Sequence, residues 1–242
     1  VIIKHPDIRR SLMNMKSLIE GQRSLAFWVS QQIDVSLNHS DPKIKEAAND
    51  IVSMMTPVIK SFFTDTGVEI TNDAIQIFGG YGYTKDQGME QLFRDNRITP
   101  IYEGTNSVQA IDLVYRKILA NKIFDSYLKQ ISNEIGEYAK NKKLAIFVQK
   151  FQKYIELLNN FTSWLIEKNK NSKDDVSAAC NDYLRVLGYI GLAHSWLKIL
   201  KVSYEKIDTN RSFFEDKINT ATYYFDKILP RVQSHYLSAV TG

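Results

Sequence analysis

Apolar residues recur along this chain at intervals of three and four, the spacing that lines one face of a helix. Ile8, Leu12, Met15 and Ile19, then Ala26, Val29 and Ile33, predict a long first helix. His5-Pro6-Asp7 suits its start, with proline in the first turn and a carboxylate at the positive end of the helix dipole. The polar run Asn38 to Asp41, closed by Pro42, ends it. A second helical stretch runs from Lys43 to Ile77, and Pro57 inside it is expected to kink or divide it. Asp65-Thr66-Gly67 is expected to loosen it further. Gly79, Gly80 and Gly82 stop it, because glycine takes the positive φ that closes a helix. Met89 to Ile98 reads as a short helix broken by Pro100, and Thr105 is placed to cap a helix over Ser107 to Ala120.

Beyond Asn121 the composition shifts towards Lys, Asn, Tyr and Phe. Phe147, Phe151, Tyr154, Leu158, Phe161 and Leu165 form an aromatic-rich helical seam, and Lys168 to Asp175 reads as a solvated loop. Tyr183, Leu187, Ile190 and Leu197 mark another helix, and Phe214 to Val232 a last one with Pro230 near its end. No segment shows the alternation of a strand. The expected fold is therefore all-α: a four-helix-type bundle over residues 1–120 and a second, smaller helical domain over residues 121–242.

Composition narrows the function classes. The chain has 242 residues, 44% hydrophobic and 24% charged, with a net charge of +4. That is an ordinary globular profile without the concentrated basic footprint of a nucleic-acid binder. Cys180 stands alone, so neither an intramolecular disulfide nor a cysteine-rich zinc site can form, and no metal site is expected. The longest apolar runs, such as Leu144 to Val148, are too short to span a bilayer. The opening VIIKHPDIRR has neither an initiator Met nor the layout of a signal peptide, and reads as the middle of a longer polypeptide.

Candidate chemistry gathers between Gln76 and Gln109. A phosphate-binding loop is missing, and Gly80-Tyr81-Gly82 lacks the third glycine of a dinucleotide fingerprint. None of His5, His39, His194 and His235 has Glu three residues before it, which removes support for a di-iron bundle site. His194 lies on the apolar seam between Ile190 and Leu197, as a packing histidine would. The glycines read either as a helix stop or as backbone that a ligand can approach closely. Glu103, between a proline break and a capped helix, reads either as an exposed loop carboxylate or as a catalytic one.

IFGGYGYTKDQGMEQLFRDNRITPIYEGTNSVQ resembles the C-terminal helical domain of flavin-dependent acyl-CoA dehydrogenases. The family pattern Q-x-x-G-G-x-G, R-D-x-x-I, I-Y-E-G-T appears in order as Gln76, Gly79, Gly80 and Gly82; Arg94, Asp95 and Ile98; and Ile101 to Thr105. IIKHPDIRRSLMNMKSLIEGQRSLAFW is similar to the opening helix of that domain in a larger subclass, and NTATYYFDKILPR to the subclass's extra helical domain.

The resemblance implies that Glu103 is the base that takes the α-proton of a bound acyl-CoA while the β-carbon gives a hydride to FAD. It implies that Thr105 contacts the flavin, and that Gln76, Gly79 and Gly80 touch FAD bound by a neighbouring subunit. Tyr102 and Gly104 would line the substrate site, with Arg94 and Asp95 holding the loop. Where relatives often carry an arginine for the CoA nucleotide this chain has Tyr115, with Arg116 beside it as the candidate contact. Further implications are a homodimer or homotetramer, electron-transferring flavoprotein as acceptor, and a location in the bacterial cytoplasm or mitochondrial matrix. The family builds its flavin site with two further domains, so the chain alone is expected to be inactive. A non-catalytic oligomerisation or docking module and an acyl-CoA oxidase remain as alternatives.

Overall fold

The computed structural model describes residues 1–120 and 123–241, so Asn121, where the composition shifts, lies outside the described residues. Those residues are helical and connected by short turns, as the spacing predicts. Helix α1 (Pro6–Asn38) begins on extended His5 with Pro6 in its first turn and ends at extended His39. Asp41 caps α2 (Pro42–Phe78) by accepting from the Lys43 amide at 2.8 Å, and the short link folds α2 back along α1.

Helix α2 does not divide at Pro57. Proline deprives one carbonyl of its partner and crowds the preceding turn, at a cost of about 3 kcal/mol. Packing outweighs it, because Met54, Met55, Val58 and Phe62 are fully buried around the proline. Nor does Asp65-Thr66-Gly67 loosen the helix. Thr66 is buried with its hydroxyl donating to the Phe62 carbonyl, and Gly67 lets Asn96 approach to within 2.7 Å of where a Cβ would lie. Gly79 stops α2 as expected, at φ +63°.

One turn, α3 (Gly80–Tyr83), leads to α4 (Met89–Arg97), and α5 (Asn106–Asp112) continues into a π-helical segment, Leu113–Ala120. Then come α6 (Phe124–Tyr138), α7 (Lys142–Lys168), α8 (Lys173–Lys206), α9 (Arg211–Tyr223) and α10 (Arg231–Val240). Pro230 divides the expected last helix into α9, with a π-helical continuation Tyr224–Ile228, and α10, because it cannot donate within the ladder.

The core is continuous across residue 120. The α7 seam from Phe147 to Leu165 and nearly every residue from Val186 to Leu197 of α8 are buried together with Leu25 of α1 and Phe62 of α2. Gly188 lets α8 come close to α2, since a Cβ there would lie 2.3 Å from the Phe62 ring. His194 is buried on this seam, edge-on to Trp28, and its Nε2 lies 2.9 Å from Glu134 Oε2. Burial drives the imidazole towards neutrality, so Nε2–H donates and Nδ1 has no partner. Burial alone would raise the Glu134 carboxyl, but His194 and the Lys198 ammonium, 3.0 Å away, bring it down to about 2. Burial pushes the Cys180 thiol up to about 12, which leaves it inert. No described helix is long and apolar enough to cross a membrane.

Candidate active site

Glu103 sits on the turn between α4 and α5. Ile101 and Tyr102 both donate backbone hydrogen bonds to the Ile98 carbonyl, and the Asn106 amide donates to the Pro100 carbonyl at 3.1 Å. These bonds fold residues 100–106 into a closed loop. Thr105 then caps α5, its Oγ1 accepting from the Val108 amide at 3.4 Å. Within the loop Glu103 has φ +55°, the left-handed region, which costs a non-glycine residue about 1–2 kcal/mol. It is the one non-glycine residue so placed among those described.

What holds that conformation is a set of polar side chains on α2. Lys60 Nζ donates to the Gly104 carbonyl at 2.7 Å and to Asn106 Oδ1 at 2.8 Å. Asn106 Nδ2 lies 2.7 Å from Asp65 Oδ1 and 3.2 Å from the Ser61 carbonyl. From the other side Gln109 Nε2 donates to the Glu103 carbonyl at 3.1 Å. Arg94 and Asp95 make no hydrogen bond or ion pair to the loop among the described residues; Arg94 instead lines a groove with Ile75, Phe93 and Ile101. Lys60, Asn106 and Asp65 escape sequence reading because each is an ordinary helix-surface residue until α5 is laid against α2.

The carboxylate itself is exposed, and so are its apolar neighbours: Tyr102, Ile98, Ile101 and Val108 each keep about half of their surface. A stretch that leaves a carboxylate together with aliphatic and aromatic side chains unburied can receive a partly apolar ligand. The Glu103 amide has no acceptor among the described residues, so it remains available to a ligand oxygen.

Gln76, Gly79 and Gly80 lie elsewhere. The Glu103 loop is clamped at Lys60, and Gln76 follows sixteen residues later, roughly 24 Å along α2. The two groups therefore lie apart within one chain. Gly79 and Gly80 are exposed, and a Cβ on either would meet nothing within 4 Å, so bare backbone faces outward there. Gly82 differs: a Cβ would lie 2.5 Å from the Ile75 carbonyl, which makes it a packing glycine. Arg116 stands more than two turns beyond Asn106, 73% exposed and paired with Asp112 at 2.8 Å. Tyr115 turns away to α8, its hydroxyl donating to the Lys173 carbonyl at 2.9 Å. Among the described residues no group of three or more His, Cys, Asp or Glu could hold a metal.

An all-helical domain with this loop and these motifs defines a class, and comparison with known proteins agrees. The family model for the acyl-CoA dehydrogenase C-terminal domain matches residues 1–119, and the acetyl-CoA dehydrogenase C-terminal-like model matches residues 129–242. The chain belongs to the acyl-CoA dehydrogenase family and corresponds to its C-terminal helical region.

Among its relatives, the 3-methylmercaptopropionyl-CoA dehydrogenase of Ruegeria pomeroyi is 37% identical over 141 residues, 57% of this chain and 24% of that protein. A butyryl-CoA dehydrogenase of Syntrophomonas wolfei is 26% identical over 242 residues, 96% of this chain and 39% of that protein. An acyl-CoA dehydrogenase of Bacillus anthracis complexed with FAD superposes with a TM-score of 0.77 at 16% identity, over 99% of this chain and 42% of that one. Caenorhabditis elegans ACDH-11 in complex with C11-CoA superposes with a TM-score of 0.67 at 20% identity, over 97% of this chain and 40% of that one. At these identities the superpositions show the fold. The chain spans about two fifths of the length of the relatives that it matches from end to end.

Proposed function

We propose that this chain is the base-bearing part of a FAD-dependent acyl-CoA dehydrogenase that converts an acyl-CoA thioester to its trans-2-enoyl product. The observation that carries this reading is Glu103. A lone carboxylate is held at positive φ in a loop clamped at both ends, exposed among apolar side chains, within Ile101-Tyr102-Glu103-Gly104-Thr105. Strain kept in place by surrounding bonds is a mark of functional positions.

On this reading the α C–H bond of the thioester breaks and its proton passes to the Glu103 carboxylate. The free Glu103 amide donates to the thioester carbonyl oxygen, where negative charge develops as the α-proton leaves. Tyr102 and Gly104 border the acyl chain beside the base. FAD, when bound, would supply the hydride acceptor for the β-carbon. Thr105 would touch the flavin of its own site, and the exposed backbone of Gly79 and Gly80, with Gln76, would touch FAD held by a neighbouring subunit. The separation along α2 supports assigning the two half-sites to different subunits, hence a dimer or tetramer. Arg116 is the candidate for the CoA phosphates, and electron-transferring flavoprotein the candidate acceptor.

The test is Glu103→Gln in the full-length polypeptide. The amide keeps the size of the side chain but cannot take up the proton. Turnover of acyl-CoA should fall by a factor of about 1000 or more while flavin content and the thermal midpoint stay at parent values. Turnover within ten-fold of the parent would instead favour a docking module with another base.

A further inference from the structure

We infer that Arg185, on α8 in the second half of the chain, is a positioning residue for Glu103, acting through Asp65 and Asn106. The inference rests on Glu103 being the base. Its geometry is independent of that.

Arg185 Nη2 lies 3.1 Å from Asp65 Oδ2, while the other oxygen of the same carboxylate accepts from Asn106 Nδ2 at 2.7 Å. The carboxylate is thus divided, one oxygen for each half of the chain. The second arm of the guanidinium, Nη1, reaches Glu69 Oε1 at 3.0 Å, one helical turn further along α2. Two contacts on one helix fix the plane of the Arg185 fork, and so the rotamer of Asp65. Glu69 in turn faces Arg231 of α10 at 3.9 Å.

Asn106 is the hub. It receives Asp65 and Lys60 through its side chain, and through its backbone amide it closes the loop on Pro100. Release of Asp65 leaves Asn106 Nδ2 with weaker acceptors, the Ser61 carbonyl at 3.2 Å and Thr64 Oγ1 at 3.0 Å. Because Glu103 occupies an intrinsically unfavourable backbone region, its loop relaxes when a clamp is lost. The base then spends less time aimed at the α-carbon. A structural ion pair alone would predict lower stability without a local effect on the loop.

The experiment compares Arg185→Gln, Arg185→Lys and a control, Lys16→Gln, in the full-length flavoenzyme. Lys16 pairs with Asp216 across α1 and α9 and touches no group of this hydrogen-bond chain. Amide hydrogen exchange of peptides covering residues 99–109 should speed up roughly two- to five-fold in Arg185→Gln, the scale of a partly exposed ion pair, and stay at parent rate in the control. In the same variant kcat should fall about ten-fold with KM within about two-fold, as expected for a misaimed base. Arg185→Lys, which replaces the fork by a point charge, should fall between the two. Parent-like loop exchange and kcat in Arg185→Gln would overturn the inference, and so would an equal change in Lys16→Gln. Glu103→Gln run in parallel separates the two claims. If it abolishes turnover while Arg185→Gln is parent-like, only the positioning role falls; if it retains turnover, the base assignment falls and the role with it.

Discussion

Gly188→Ala tests the contact that joins the two halves of the chain. In an exposed helix the change would stabilise by about 1 kcal/mol, because alanine is the better helix former. Here the new methyl carbon would stand 2.3 Å from Cγ and 2.4 Å from Cδ2 of Phe62, which is fully buried. Ordinary carbon contacts begin near ~3.5 Å, so the ring must retreat by roughly 1.2 Å. It has no free direction, since it packs edge-on against Tyr189 with ring centres 4.8 Å apart. Overpacking of this kind costs about 1–3 kcal/mol, and a disturbed aromatic pair adds about 0.5–1.5. After the propensity gain a net loss of about 2 kcal/mol remains, and for a chain of this length the thermal midpoint should drop by about 4–8 °C. The assay is thermal unfolding of the purified chain followed by circular dichroism. Gly136→Ala is the internal control: that glycine is an exposed residue of α6 with nothing near its Cβ position, and the change should raise stability by about 0.5–1 kcal/mol. A midpoint for Gly188→Ala at or above that of the parent would refute the close approach of α8 to α2.

The His194–Glu134 pair predicts loss of stability in acid. Below pH 6.5, the ordinary imidazole value, the unfolded chain takes up a proton that buried His194 refuses, so stability falls as pH drops, and it falls again between pH 4.5 and about 2 as Glu134 is protonated. The denaturation midpoint should be lower at pH 5.5 than at pH 8, with a shallower dependence in His194→Gln; an identical dependence in the variant would refute the assignment. The 242-residue chain, purified alone, should carry far less than one flavin per chain by absorbance, and a stoichiometric flavin spectrum would contradict that.

Helix positions, the stop at Gly79 and the cap at Thr105 were readable because each depends on neighbouring residues: three- and four-residue spacing, a glycine at positive φ, a hydroxyl before a helix. The expected division at Pro57 fails for the opposite reason. Whether a proline breaks a helix depends on what buries it, and here Pro57 is buried in a helix that packs against α1, α6 and α8. Helix α6 was legible and missed: Phe124, Tyr127, Ile131, Ile135 and Tyr138 follow the same spacing as the seams that were found, and all are buried. At the candidate site the motif pointed to Glu103, but its clamp lies at Lys60 and Asp65, about forty residues away in sequence, and such contacts leave no periodic trace.

The second half of the chain bears on the candidate site through shape as much as through charge. Gly188 of α8 receives Phe62, Gly191 receives Leu25 at 3.1 Å, and Gly21 of α1 receives Leu192 at 3.1 Å and the Trp196 indole. These glycines bring the backbone of α8 close against both α1 and α2, and that closeness is what allows Arg185 to span to Asp65 and Glu69. At the edge of the buried run of α8, Asp182 and Arg185 each carry their charge to a partner on another element: His235 on α10, and Asp65 and Glu69 on α2. A charged residue set in an apolar helical run is the sequence signal for such a bridge, and Arg185 between Leu184 and Val186 displays it. The second half of the chain thus gains a physical reason to be attached to residues 1–120: α8 holds Asp65 and Glu69 of α2, and α2 holds the Glu103 loop.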